Sequence, residues 1–271
     1  MEQNNKVSFS IVTVCFNTIS SIEDTIKSVL GQSYKHIEYI IIDGGSTDGT
    51  VGLIKKYEDC VSFWASEPDK GIYDAMNKGI MQASNDYILF LNAGDFFYNE
   101  KTLENVAARI NSNVDVVFGD VAIVMNGVTY QVPSEPFYEH LPLHHSMGFN
   151  HQCAFVKTVV AKSFLFDLKY KLAADYNMII SIYRMGGTFQ QLHNLVISCY
   201  DMSGVSEKNR RLHIYETLMV DTPNKMMYNR LKSFIYYMKL LIGQKVGVFL
   251  YRLFPNWMKQ RRSKRMTLLH L

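Results

Sequence analysis

An apolar run of strand length, Tyr87–Leu91, stops abruptly at the small polar turn Asn92–Asp95. A second apolar run, Ile37–Ile42, stops in the same way at Asp43, and helical spacing follows it. Strands that alternate with helices along a chain predict a parallel sheet wound by right-handed crossovers. The carboxyl ends of parallel strands share one edge of the sheet, so we expect these carboxylates to gather in one crevice.

The remaining pattern extends this alternation along the chain. A third run, residues 114–119, is followed by Asp120, which we expect at the same edge of the sheet. Residues 121–132 alternate well enough for a hairpin around Asn126-Gly127. The other predicted strands are residues 7–16, 61–65, 153–160 and one within 188–200, and the other main helices are residues 18–31, 72–80, 102–110 and 173–185.

The composition is that of an ordinary globular protein. Four cysteines lie far apart with no CxxC spacing, which suggests neither a zinc site nor a disulfide framework and fits a reducing cytoplasm. The first 17 residues carry no secretory signal pattern, and no run of about 18 apolar residues occurs. We therefore expect a cytoplasmic protein.

Charge divides the chain into two parts. Residues 222–271 hold eleven Lys and Arg and no Asp or Glu, whereas residues 1–221 hold 17 basic and 25 acidic residues, a net charge of −8. We therefore predict an acidic globular domain, 1–221, and a basic C-terminal helical extension, 222–271. Within it, residues 231–254 mix apolar side chains with four basic ones, which suits a helix lying flat on an anionic membrane; packing on the domain or on a second subunit is the alternative.

Six segments occur in a fixed order along the chain: SFSIVTVCFN, IIIDGGSTDGT, SEPDKGIYDAMNKGI, YILFLNAGD, HQCAF and AADYNMII. Together they resemble the family 2 glycosyltransferases of the GT-A fold, which transfer a sugar from a nucleotide diphosphate donor with inversion at the anomeric carbon. The resemblance covers roughly residues 7 to 200. It implies an α/β fold with a mostly parallel, GT-A-like sheet sandwiched by helices.

The resemblance also implies a wall of donor-binding residues. Asp43 would accept hydrogen bonds from a base N–H or from ribose hydroxyls. Lys78 would offset the diphosphate charge, although a lysine on a helix is as often simply solvated. The positions that match the donor site are Thr13, Asn17, Asp43, Asp69, Lys78 and Asn92.

Two motifs depart from the family pattern near the expected metal. The usual paired Asp after the second strand is here Asp43-Gly44, and the usual DxDD is Asn92–Asp95. Asp95 remains, and we predict that it contacts Mn²⁺ or Mg²⁺ directly or through water, since phosphate oxygens and water can complete the shell. The ordinary alternative is that Asp95 caps the following helix.

Asp175 matches the catalytic base of the family, although the usual preceding Glu is Ala174. Inverting transfer needs one carboxylate to take the proton of the acceptor hydroxyl as that oxygen attacks. An Asp at a helix start is also favoured by the helix dipole alone, which is the competing interpretation.

The acceptor side is expected around His151 and Gln152, which match an HQ pair of the family. His144 and His145 precede them on the long loop 133–149, which we interpret as a lid over donor and acceptor. Both histidines could bind a metal or a sugar hydroxyl, or could be ordinary surface residues.

We read the sequence as an inverting glycosyltransferase of hexosyltransferase type. It would move a sugar from a UDP-linked donor to a hydroxyl of a surface polysaccharide or lipid-linked glycan, at the inner face of the cell membrane. The alternative is a nucleotide-sugar-binding protein of the same fold without turnover, since acidic residues are missing at positions 44, 92 and 94. A nucleic-acid partner is not expected, because the domain is acidic and carries no nucleic-acid motif.

Overall fold

The computed structural model describes residues 6–125, 128–136, 147–201, 209–221 and 267–269. The strands are β1 (Phe9–Cys15), β2 (Ile37–Asp43), β3 (Phe63–Ser66), β4 (Tyr87–Phe90), β5 (Phe96–Phe97), β6 (Val116–Met125), β7 (Val128–Val132), β8 (Ala154–Lys157), β9 (Phe189–Asp201) and β10 (Thr267–Leu269). The helices are α1 (Ile22–Leu30), α2 (Thr50–Lys55), α3 (Ile72–Gln82), α4 (Thr102–Ala107), α5 (Thr158–Ser163), α6 (Ala174–Arg184) and α7 (Arg210–Asp221). Short 3-10 turns cover Glu58–Cys60 and His151–Cys153.

The ten strands form one mixed sheet, with most of them in the order β10-β7-β6-β8-β4-β1-β2-β3. Strands β3, β2, β1 and β4 are parallel, so the turns that follow β1, β2 and β4 meet at one edge. Strand β8 runs antiparallel to β4, with Val156 opposite Ile88, and its first residue therefore lies at that same edge. The predicted α/β fold is confirmed.

The core forms where the periodicity of the sequence indicates it. All seven residues of β1 are buried, as a strand covered on both faces requires. Helix α1 buries Ile22, Ile26 and Val29, which lie on one face at helical spacing. Since β1 is held between β2 and β4, the turn that follows it has little freedom to move.

The prediction for Asp120 is wrong. Strand β6 continues through Gly119 and Asp120 to Met125, and its register against β9 shifts at Asp120. Asp120 is buried and accepts hydrogen bonds from Gln131 Nε2 (2.6 Å) and Ser134 N (2.8 Å). It is a structural carboxylate that ties the end of β7 to β6.

The predicted strand 153–160 is also partly wrong, because β8 ends at Lys157 and α5 begins at Thr158. The predicted hairpin is confirmed by the antiparallel pairing of β6 and β7, with Met125 opposite Val128. Most of the proposed lid, including His144 and His145, and nearly all of the basic extension lie outside the described residues. Among the described helices, none combines the length and apolar character needed to cross a membrane.

Candidate active site

The turn after β2 is built around Asp43. This carboxylate is fully buried and accepts hydrogen bonds from Gly45 N (3.1 Å), Ser46 N (2.8 Å) and Ser66 Oγ (2.6 Å). Burial would raise the pKa of Asp43, but the hydrogen bonds from Ser46 and Ser66 outweigh it and lower the pKa. Asp43 is therefore ionised and shapes the loop that follows it.

Asp69 occupies the space beside Gly44. One oxygen of Asp69 accepts the N–H of Gly71 at 2.7 Å, and the other lies where a side chain on residue 44 would project. A side chain at position 44 would therefore require the Asp69 carboxylate to shift. The Asp69 carboxylate lies beside the position where the usual family pattern has a second Asp.

The other predicted donor residues are placed differently from one another. Thr13 is fully buried, and its hydroxyl donates to the Leu91 carbonyl at 2.8 Å, so the structure does not bring it to the site surface. Asn17 follows β1 in the left-handed region (φ 51°), and its Oδ1 accepts the N–H of Thr47 at 3.0 Å. Lys78 forms an ion pair with Glu67 at 2.7 Å, which raises the pKa of the lysine.

Phe16 lies beside Gly44, and the sequence analysis did not select it as a site residue. Its side chain is 60% exposed, and its ring edge approaches the position of a Cβ on Gly44 to 3.4 Å. An exposed aromatic ring beside a polar turn offers a flat apolar face on which a nucleobase could stack. The sequence prediction took Phe16 as the last residue of the buried strand, whereas β1 ends at Cys15 and leaves this ring at the start of the turn.

The turn Asn92–Asp95 follows β4 and is held rigidly. Thr25 Oγ1 accepts the N–H of Gly94 (2.9 Å) and donates to the carbonyl of Asp95 (2.7 Å). Gly94 has φ 101°, in a region where side chains are strained, so the usual acidic residue does not suit this turn. The departure from the family pattern at position 94 therefore has a backbone cause.

Asp95 is the buried carboxylate of this turn. It is only 9% exposed, and burial raises its pKa to about 7, even though His151 and a hydrogen bond from Gln152 act in the opposite direction. The structure thus places Gln152, predicted on the acceptor side, against Asp95. Additional positive charge beside this carboxylate would favour its ionised form.

Asp175 lies at the start of α6 and is held from two sides. His151 Nδ1 lies 3.3 Å from Asp175 Oδ2, and Tyr73 OH donates to Asp175 Oδ1 at 3.0 Å. On its other ring nitrogen, His151 faces Asn92 Nδ2 at 3.3 Å. Residues from the turn after β4, the 3-10 turn before β8, α3 and α6 therefore converge on one point at the edge of the sheet. Tyr73 is a second site residue that sequence reasoning missed.

The charges in this group support one another. Burial would raise the pKa of Asp175, but the hydrogen bond and charge of His151 outweigh it, so the pKa of Asp175 is lowered. Burial would lower the pKa of His151, but Asp175 and Asp95 raise it above its ordinary value. The pKa of Tyr73 lies well above its usual range because of burial and the nearby Asp175, so its hydroxyl remains a donor. Asp175 is the ionised acceptor of the group.

A family model described as glycosyl transferase family 2 matches residues 10–170. The chain belongs to glycosyltransferase family 2. Curated relatives of this family 2 chain carry glycosyltransferase names. An uncharacterized glycosyltransferase of Mycobacterium tuberculosis (strain ATCC 25618 / H37Rv) is 34% identical over 175 residues, 63% of this chain and 67% of the relative. The amylovoran biosynthesis glycosyltransferase AmsB of Erwinia amylovora is 29% identical over 199 residues, 68% of this chain and 66% of the relative.

Solved structures share the fold of this family 2 chain at low sequence identity. S. aureus TarS 1-349 in complex with UDP-GlcNAc has a TM-score of 0.62 at 18% identity, covering 79% of this chain and 66% of that chain. The mannosyltransferase PcManGT from Pyrobaculum calidifontis, in complex with GDP-Man and Mn²⁺, has a TM-score of 0.64 at 15% identity, covering 94% of this chain and 84% of that chain. The GT-A-like fold and the identification as a glycosyltransferase are confirmed. The chain spans about two thirds of the length of the curated relatives named above.

Proposed function

We propose that this glycosyltransferase transfers a sugar from a nucleoside diphosphate sugar to an acceptor hydroxyl with inversion, and that Asp175 is the catalytic base. The observation that carries the proposal is the placement of Asp175, ionised and held by His151 and Tyr73, at the edge of the sheet where the turns after β1, β2 and β4 meet. A carboxylate has about four lone-pair sites, so two neighbours leave room for a hydroxyl.

The chemical step is a direct displacement. The acceptor oxygen forms a bond to the anomeric carbon, the bond from that carbon to the diphosphate oxygen breaks, and the acceptor proton passes to Asp175. Tyr73 and His151 keep the carboxylate in one orientation, so the Asp175 side chain does not have to rotate into place when the acceptor binds. The direction of attack, opposite the leaving diphosphate, gives the inversion.

The donor would lie along the turns after β1 and β2. Phe16 supplies an apolar face on which a base can stack, and Asn17 and the Asp43 loop surround it with backbone and side-chain polar groups. UDP is the nucleotide we favour, since TarS was solved with UDP and UDP-GlcNAc, although PcManGT was solved with GDP-Man. Phe16, more than Thr13, is therefore the residue we assign to base contact.

Replacing Phe16 by Ala is expected to weaken UDP binding by about 5- to 150-fold, because stacking of a base on an aromatic ring contributes about 1–3 kcal/mol. Calorimetric titration with UDP measures the change. Phe63→Ala is the matched control, because Phe63 is also an exposed phenylalanine but lies in the edge strand β3. Equal UDP affinity in wild type and Phe16→Ala would remove Phe16 from the donor site.

Two features of the turn Asn92–Asp95 fit a divalent cation. Asp95 is a buried carboxylate with a raised pKa, and Oδ1 of Asn92 is buried without a hydrogen-bond partner. Oxygen atoms of this kind are the ligands that Mn²⁺ and Mg²⁺ prefer, and they would hold the ion. The described residues contain no group of three or more His, Cys, Asp or Glu side chains arranged for a metal, so phosphate oxygens and water would complete the shell. When bound, the ion would neutralise charge on the departing diphosphate.

The acceptor is proposed as a hydroxyl of a growing glycan, free or lipid-linked. Support comes from the names of relatives, which assign AmsB to amylovoran biosynthesis and a mycobacterial relative to PGL/p-HBAD biosynthesis. Attachment to an anionic membrane through the basic extension 222–271 is part of this proposal, and its support is the charge of the sequence. The enzyme and a lipid-linked acceptor would then be held at the same membrane surface.

An assay of nucleotide release from a panel of UDP- and GDP-sugars, with Mn²⁺ or EDTA, tests the function. We expect release and transfer from one donor class in Mn²⁺ with a simple glycan acceptor, and an inverted anomeric configuration in the product by NMR. Binding of nucleotide sugars without any release would favour the alternative, a binding protein of the same fold. Retention of configuration would overturn the proposed mechanism.

A further inference from the structure

The helix that carries Asp175 starts without a cap of its own. Helix α6 begins at Ala174, and the residue before it, Ala173, has no side chain that can accept a hydrogen bond from the first turn. The N–H groups at a helix start lack partners within the helix, so something else must bind them or they must face water. The orientation of Asp175 depends on how this start is fixed.

Glu216 of α7 supplies the missing partner. Its carboxylate accepts the N–H groups of Lys171 (2.9 and 3.0 Å), Leu172 (2.7 Å) and Ala173 (3.1 Å). Glu216 is only 7% exposed, so these hydrogen bonds face little competition from water. Three successive backbone groups ahead of the helix are thus held by one side chain.

A glutamate three residues after the N-cap often closes a helix start by binding the N–H of the N-cap itself. In α6 that position is Tyr176, which has no carboxylate. Glu216 does the same from 43 residues downstream, at Ala173. A contact from α7 therefore closes the start of α6, where the sequence of α6 offers no capping carboxylate of its own.

Helix α7 makes further contacts around the base. Arg184, at the end of α6, donates to the carbonyl of Val220 at 3.2 Å, so both ends of α6 touch α7. The ionisable groups that act on Asp175 include His151, Tyr73 and His213, and His213 lies one turn before Glu216 on α7. The family model ends at residue 170, before Asp175 and before α7.

We propose that Glu216 is a positioning residue for the transfer reaction, because it fixes the start of α6 and so directs Asp175 toward His151 and Tyr73. The proposal rests on the proposed function of Asp175 as base. It makes α7 part of the catalytic unit, since the carboxylate that takes the proton is aimed by a side chain from this helix. Glu216 itself does not touch the reacting atoms.

Glu216→Gln tests the proposal, because Gln keeps the size but has one acceptor oxygen and places an NH₂ against backbone donors. We expect the kcat of this variant to fall about tenfold or more while UDP affinity changes by less than about twofold. Glu38→Gln is the matched control. Glu38 also accepts three hydrogen bonds, from Ser84 N (2.8 Å), Ser84 Oγ (2.9 Å) and Ser10 Oγ (2.6 Å), but it lies near the opposite end of β2 from Asp43. An equal loss of kcat in both variants would make Glu216 a merely structural residue.

The pH profile of kcat separates positioning from charge. If the start of α6 is no longer held in place, the hydrogen bond from His151 to Asp175 weakens. Burial then raises the pKa of Asp175, and the acidic limb of the profile moves to higher pH. If Glu216 acts only as a nearby negative charge, its removal moves that limb to lower pH. We expect the shift to higher pH, and a shift to lower pH or no shift overturns the proposal.

A double-mutant cycle with Asp175→Asn completes the test. Since Glu216 acts through Asp175, Glu216→Gln should change the remaining turnover of Asp175→Asn by less than about twofold. If Asp175→Asn alone retains normal turnover, the assignment of the base fails. If Asp175→Asn is inactive as expected but Glu216→Gln lowers turnover equally in both backgrounds, the base stands and the positioning role fails.

The shorter Glu216→Asp serves if Glu216→Gln does not fold. Its carboxylate cannot reach all three N–H groups, and we expect a smaller loss of kcat with the same direction of the pH shift. Hydrogen exchange at the amides of residues 171–173 should become faster in this variant. Faster exchange with unchanged kcat and pH profile would overturn the proposal.

Discussion

Asp175→Asn is expected to lower turnover by about 10² or more while UDP affinity stays within about twofold of wild type. Asn keeps the size of the side chain and one oxygen acceptor, but it cannot take a proton. The side chain of Asp175 is bonded to Tyr73 and His151 and not to Phe16 or the Asp43 loop, so donor binding should depend little on its charge. Steady-state kinetics and calorimetry with UDP, measured on the same preparation, give both quantities.

Asp167→Asn is the control for this experiment. Asp167 lies in the same part of the chain, but it forms an exposed ion pair with Lys169 at 2.6 Å and is not among the groups that face Asp175. Its loss should leave turnover near normal, since an exposed ion pair contributes little. Normal turnover in Asp175→Asn together with a large loss in Asp167→Asn would move the base to Asp167.

Asp95→Asn is expected to stabilise the fold at pH 8 in the absence of a cation. The folded protein holds the Asp95 proton up to a pH of about 7, whereas the unfolded chain releases it near pH 4. The stability that this group contributes is therefore present below about pH 4 and is lost as the pH rises to about 7. The folded-state pKa of about 7 lies about two units above pH 5. Between pH 5 and pH 8 the free energy of unfolding of the variant should therefore rise by about 3 kcal/mol relative to that of the wild type.

Chemical denaturation at the two pH values measures this gain, and Asp48→Asn is its control. Asp48 lies at the same edge of the sheet, but its exposed carboxylate has a lowered pKa because Thr50 and backbone N–H groups donate to it. Its replacement should not stabilise the protein at pH 8. If the free energy of unfolding of the wild type does not fall relative to that of Asp95→Asn between pH 5 and pH 8, the pKa of Asp95 is not raised.

Asp95→Asn should also abolish the effect of Mn²⁺. In wild type we expect Mn²⁺ with UDP to raise the melting temperature, because a cation beside Asp95 favours the ionised form and binds only the folded protein. In the variant, Mn²⁺ should add nothing to the stabilisation by UDP alone. If both proteins respond equally to Mn²⁺, Asp95 is not the residue that holds the ion.

Local patterns in the sequence were sufficient for much of the fold. Long apolar runs with turn residues at their ends predicted β1, β2 and β4, and helical spacing predicted α1 and the start of α6 near Asp175. Such patterns succeed because the burial of a strand or of a helix face depends mainly on residues within a few positions. The turn Asn92–Asp95 and its place at the edge of the sheet followed from the same pattern.

The prediction for Asp120 was wrong and the placement of Thr13 was not foreseen, because the partners of both residues lie elsewhere in the chain. Asp120 was expected at a strand end, but β6 continues past it because Gln131 and Ser134 satisfy the carboxylate inside the sheet. Thr13 was expected at the nucleoside, but its place in β1 directs its hydroxyl to the Leu91 carbonyl of the adjacent turn. In each case the type of residue suggested that it binds a substrate or an ion, whereas strand pairing brings it to a hydrogen-bond partner within the protein.

The sequence by itself determined the family, the alternation of strands and helices, and the presence of Asp95, His151 and Asp175. Only the tertiary structure decided how they act together, because Tyr73 lies 102 residues from Asp175 and Glu216 lies 43 residues from Ala173. A hydrogen bond needs its two atoms within about 3 Å, and packing of whole elements sets that distance. Burial likewise decided that Asp95 carries a raised pKa and Asp175 a lowered one, although both are aspartates that follow a polar or small residue in the sequence.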